Sequence, residues 1–192
     1  FRTARAHRFE GWPRFVHHLE ELARGGGTSD FEVAAEAIVE GDIGLLRRLL
    51  AANPALVTAR SEREHRATLL HYTAANGVED FRQKTPNNIV ELTNLLLDAG
   101  ADVHAASDAY GGGCTTLLLV ATSIHPERAG VQIPLLQTLL DRGATFVSPG
   151  AHATRRSIVN ECLANGQINA ARFFADRGAA LDLEGAAALG RL

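Results

Sequence analysis

Of 192 residues only two are cysteine, Cys114 and Cys162, far apart and in no paired motif. A disulfide framework is therefore not expected, and the pattern suits two small thiols in a reducing compartment. The eight histidines include no His-x3-His pair, and Cys-x2-Cys is absent too, so no metal ligand set is expected. No apolar run approaches the roughly 20 residues that cross a bilayer. The opening stretch Phe1–Arg8 carries charges and no apolar core of a secretion signal. A cytoplasmic chain with no membrane partner is the expectation. Charge of one sign is also lacking: 19 Lys and Arg face 22 Asp and Glu, a formal net charge of −3. Gripping phosphate backbones needs a clustered basic face, so no nucleic-acid partner is expected. Gly-x-Ser-x-Gly is missing. Tyr110-Gly111-Gly112-Gly113 lacks the Gly-Lys-Ser/Thr ending of a phosphate loop.

What the sequence does have is repetition. At 46% apolar content it can bury a continuous core. Four segments share one template: an apolar helical stretch, a Gly or polar turn, then a second helix ending in paired large apolar residues. They run from Phe31 to Asn53, Thr68 to Gly100, Thr116 to Gly143, and Ser157 to Gly178. Gly143 to Gly178 is a step of 35 residues, near the roughly 33-residue period of one helix-pair repeat class. Longer steps have identifiable sources. Val78–Asn88 is inserted between the helices of the second repeat, and His125–Gly130 at the matching point of the third. Ser29-Asp30-Phe31-Glu32 reads as a capping box opening the first repeat. Gly100, Gly143 and Gly178 stand where a left-handed helix terminus favours glycine. Ala34, Ala74 and Ala121 allow close helix approach. A lone pair cannot bury its apolar face, so the pairs must stack.

Thr68-Leu69-Leu70-His71-Tyr72-Thr73-Ala74-Ala75-Asn76-Gly77 resembles the ankyrin signature Thr-Pro-Leu-His-x-Ala-Ala-x-x-Gly, and Ile89–Val103 resembles its second half. The long inserts and the Tyr110–Thr116 stretch resemble a bacterial branch of the ankyrin superfamily. Leu69, Leu117 and Ile158 replace the Pro of the signature, and only the second repeat keeps the His. The resemblance implies an all-α fold, an ankyrin-type solenoid of helix-turn-helix repeats with short loop or hairpin fingers. Residues 28–192 would form about four repeats and a C-terminal half-repeat, after a capping helix and Gly linker at residues 1–27. It also implies structural roles for Thr68, His71, Ala74, Gly77 and Gly100, with the His71 imidazole bonding backbone between adjacent repeats.

Trp12–Arg24 is predicted as the cap helix, with Pro13 in its first turn and Trp12, Phe15, Val16, Leu19 and Leu22 on its apolar face. Leu183–Leu192 reads as the first helix of a fifth repeat; it either caps the stack or leads into further chain. The expected function is a non-catalytic protein–protein interaction scaffold without cofactor, since solenoids present extended binding surfaces. Candidate contact residues lie on the inserts (Phe81, Arg82, Lys84, His125, Glu127, Arg128) and on the fingers (His65, Arg66, Tyr110, Arg155). Stacked repeats are expected to bring the two inserts together on one edge. The alternative is a small-molecule-binding protein or enzyme with an insert-walled pocket, for which His65, His71, Tyr72 and Glu127 would have to converge.

Overall fold

A computed structural model describes residues 2–25, 27–146 and 157–191. The described residues form twelve α-helices and one two-stranded ladder, so the chain is mostly helical. Helix α1 spans Arg2–Ala6 and α2 spans Trp12–Arg24. Four helix pairs follow: α3 (Gly27–Glu40) with α4 (Ile43–Ala52), α5 (Leu69–Tyr72) with α6 (Ile89–Asp98), α7 (Thr116–Thr122) with α9 (Gln132–Asp141), and α10 (Ile158–Ala164) with α11 (Ile168–Ala175). Helix α8 (Ile124–Arg128) lies within the third pair, and α12 (Leu183–Ala188) follows the fourth.

The pairs pack in chain order. First helices touch in the sequence α3, α5, α7, α10, α12, and second helices in the sequence α4, α6, α9, α11. One core runs along the row from Phe31 to Ala179. Ala34, Ala74 and Ala121 are fully buried where first helices approach one another. Leu46, Leu96 and Leu139 fill the space between first and second helices with no exposure at all. Gly100 and Gly143, just past α6 and α9, have φ of 98° and 93°, which L side chains adopt only with strain.

Between the first and second and the second and third pairs the chain makes short hairpins. Arg60 and Thr68 form an antiparallel bridge in the first finger. In the second, β1 (Ala106–Ser107) pairs with β2 (Cys114–Thr115). Thr115 and Ser157 accept hydrogen bonds from the first-turn amides of α7 and α10. The corresponding position before α5 is Thr68, whose N–H donates to His71 Nδ1 at 3.1 Å.

Several local expectations are corrected. Ser29–Glu32 is no capping box: α3 already begins at Gly27, and the Glu32 side chain turns into the interior. Helix α5 is a single turn, and the chain enters the left-handed region three residues later at Ala75 (φ 49°). The buried face of α2 carries Phe15 and His18, while Trp12 and Leu19 are exposed. Helix α1 has no counterpart in the sequence reading. With Ala4, Phe9 and Phe15 it makes a small apolar cluster separate from the main core. Among the described residues no helix is long and apolar enough to cross a membrane.

Candidate functional site

The Val78–Asn88 insert folds back onto α3 of the preceding pair instead of reaching toward the next insert. Its one 3-10 turn, Asp80–Arg82, aims Arg82 at α3. Arg82 Nη1 donates to Glu32 Oε2 at 2.7 Å, and its Nε donates to Glu36 Oε2 at 3.2 Å. Lys84 Nζ reaches Glu40 Oε1 at 2.9 Å, and Asn88 Nδ2 donates to the Gly41 carbonyl at 2.8 Å. The insert thus runs along α3 from Glu32 to the α3–α4 turn.

Where it starts, charges meet in the interior. Glu79 is 0% exposed, Arg63 4% and Arg82 6%. Arg63 Nε lies 2.6 Å from Glu79 Oε1, and its Nη1 pairs with Glu32 Oε1. Tyr72 Oη donates to Glu79 Oε1 at 3.3 Å. His65 Nδ1 accepts from the Ala67 N–H at 3.1 Å, so the ring proton sits on Nε2, 3.7 Å from Glu79 Oε1. On α2, buried His18 places Nδ1 2.9 Å from Glu62 Oε2. Two guanidinium groups and two carboxylates therefore neutralise one another, and they tie α3, the first finger, α5 and the insert into one unit.

Titration follows from this packing. Burial alone would raise the Glu79 carboxyl, but the His65 ring, Arg63 and Arg82 reverse that and hold it at about 2. Burial likewise opposes ionisation of Glu32, which Arg63 and Arg82 outweigh, leaving it below its ordinary range. Tyr72 is pushed up, first by burial and then by Glu79, and stays neutral. A carboxylate held so low is a poor proton acceptor. Burial also raises both thiols, Cys162 to about 12, which keeps them out of the nucleophilic thiolate form. Among the described residues no group of three or more His, Cys, Asp and Glu is arranged to hold a metal ion.

Clefts flank the cluster. One of about 470 Å³ is lined by Phe9, Arg14, Glu62, Arg63, Glu64 and Arg66. Another of about 440 Å³ runs beside α3 past Val33, Glu36, Ala37, Glu40 and Arg82. No protein-family model matches the chain, and no curated protein matches it.

The expected contact residues divide sharply. His65, expected on a finger, and Arg82, expected on the insert edge, are interior, because each has a charged partner on a different segment. Phe81, Arg66, Lys84 and Arg128 are exposed, and His125 and Glu127 are half-buried. Tyr110 is 71% exposed on the second finger. Among the described residues no hydrogen bond or ion pair joins Phe81, Arg82 or Lys84 to His125, Glu127 or Arg128. The first insert is drawn to the acidic side of α3, and the second is wound into α8. Arg155 lies outside the described residues. His71 bonds Thr68 and the Cys114 carbonyl. Ala74 is fully buried, and Gly77 and Gly100 have φ of 71° and 98°. Of the four groups an enzymatic pocket would need, His65 and Tyr72 meet, with ring centroids 6.1 Å apart. His71 instead faces the second finger and Glu127 belongs to α8. Sequence reasoning missed Glu32, Glu79, Arg63 and His18 as one cluster. Four buried charged or titratable residues standing 14 to 61 positions apart carry no linear signal.

Proposed function

We propose that the chain is an ankyrin-type solenoid serving as a non-catalytic scaffold that holds a protein partner through its fingers. The observation carrying this reading is the row of helix pairs in chain order, with short hairpins at the two described junctions between the first three pairs. Such rows present extended surfaces whose residues vary while the core stays constant. Tyr110 is the most prominent finger side chain. Its backbone is held in the left-handed region at φ 53°, and its hydroxyl donates to Asn76 Oδ1 at 2.6 Å. A bulky residue kept in that conformation points to a selected side-chain position. The converging titratable groups favour the scaffold over the enzyme, since they are spent on one another in the interior.

The test is affinity capture from a native lysate, with the 192-residue chain as bait beside Tyr110→Ala/Arg66→Ala. The expected result is a protein retained by the parent chain and lost with the double variant, at unchanged helicity. Retention indifferent to the double change, or no retained protein at all, would remove the finger-based reading.

A further inference from the structure

The segment before α2 is docked the way a ligand would be. Arg5 Nη1 pairs with Glu64 Oε1 at 2.9 Å on the first finger, and Arg8 Nη2 pairs with Asp80 Oδ1 at 2.9 Å on the insert. The Arg8 carbonyl accepts from the Glu64 N–H at 2.9 Å, and the His7 carbonyl accepts from Arg63 Nε at 3.2 Å. The His7 ring lies 5.5 Å from that of Phe81. Phe9 inserts beneath the Arg63 guanidinium, 5.3 Å from its ring centroid. Finger and insert thus form two walls of a notch, with Glu64 on one side and Asp80 and Phe81 on the other.

Two further observations separate this contact from ordinary core packing. The apolar residues of the segment, Ala4 and Phe9, cluster with Phe15 and not with the main core, so the seam with the repeats is made of polar groups, one cation–π contact and the His7–Phe81 ring contact. Arg8 also adopts φ 61°, a conformation unusual for a residue with a side chain. It is held there with its carbonyl on one wall and its guanidinium on the other. Both Arg ion pairs are solvent-accessible, and such pairs are weak and salt-screened.

From this arrangement we infer that residues 2–9 are a displaceable internal occupant of a peptide-binding notch between the first finger and the insert. The external ligand of that notch is a basic peptide with two arginines three positions apart and an aromatic residue directly after the second. The own segment, Arg5-Ala6-His7-Arg8-Phe9, has that pattern and competes for the same walls. This names a partner chemistry for the scaffold reading and rests on it.

The test adds a synthetic peptide of residues 2–9 to the full chain and to Arg5→Ala/Arg8→Ala, whose own segment is loosened. The peptide is expected to bind the double variant at least about tenfold more tightly than the parent at low salt. That advantage should shrink at high salt, and a peptide with both arginines replaced by alanine should bind neither chain. Equal binding to both chains, or binding to neither, overturns the inference. Should the double variant lose helicity, amide exchange in the unaltered chain decides. Glu64 and Phe9 amides exchanging faster than those of Leu92 and Leu96, and faster still with added salt, support an opening segment. Exchange of all four together overturns it. Failed peptide binding with finger-dependent capture intact removes the notch alone; the reverse result removes the finger reading alone.

Discussion

His71 Nε2 donates to the Cys114 carbonyl oxygen at 3.2 Å, joining the second helix pair to the second finger. The direction follows from the other nitrogen. His71 Nδ1 sits 3.1 Å from the Thr68 amide, a pure donor, so Nδ1 carries no proton and Nε2 does. The imidazole must remain neutral to make both bonds.

Burial lowers the His71 pKa to about 4 from an ordinary 6.5, despite the Cys114 carbonyl's opposing pull. Between those values the unfolded chain takes a proton that the folded chain refuses. Stability is therefore complete above about pH 6.5 and declines as pH falls toward 4. The whole window is worth about 3 kcal/mol. Urea denaturation at pH 7 and pH 4.5 should show the loss, and His71→Gln should flatten it. A parent chain equally stable at both values would mean that the ring is not held neutral.

Glu79 works in a lower range. Its folded pKa of about 2 lies below the ordinary 4.5, so its contribution is present above 4.5 and lost as pH falls toward 2. Glu79→Ala leaves Arg63 and Arg82 partly unmatched in the interior, at a cost of about 3–5 kcal/mol. Adding Arg82→Ala should cost less than the sum of the two single changes, because both act on one network. Denaturant midpoints of the three variants measure this, and strict additivity would contradict a shared cluster.

Gly77 and Gly100 offer a matched pair. Both have positive φ, but a Cβ on Gly77 would meet Ala109 Cβ at 2.9 Å and Leu119 Cδ2 at 3.1 Å, whereas Gly100 faces open space. Gly100→Ala should cost only the backbone strain, about 1–2 kcal/mol. Gly77→Ala should exceed that by about 1–3 kcal/mol for the overpacked junction. Thermal unfolding of the two variants side by side gives the difference, and equal losses would refute the close approach.

Leu96, on α6, is fully buried. Leu96→Ala should lower stability by about 2–5 kcal/mol, read from a urea curve. An unchanged midpoint would contradict the placement of α6.

Helices were the legible part of this fold. Trp12–Arg24 is read from Pro13 and its apolar spacing, and α2 has those bounds. The turns at Gly41, Asn76-Gly77 and Asn165-Gly166 are read from residue types that tolerate them, and each separates a first helix from its partner or its insert. The charge cluster was not legible. Glu32 sits three residues after Ser29, a local pattern that imitates a helix cap, and nothing nearby in sequence announces Arg63 or Arg82. A lone Arg or Glu is written the same way whether water or a distant side chain answers it. The direction of the Val78–Asn88 insert was hidden for the same reason: Glu36 and Glu40 draw Arg82 and Lys84 backward from a helix over 40 residues earlier.

The satellite cluster of Ala4, Phe9 and Phe15 gives the molecule an unusual way to come apart. Lifting the leading segment away would bare ionic groups, which water hydrates readily, together with the Phe9 and Phe15 rings that cover each other. A seam of leucines and valines, once opened, would adhere to any neighbouring molecule. This seam holds few such side chains, so parting it would expose less adhesive surface than parting the repeats.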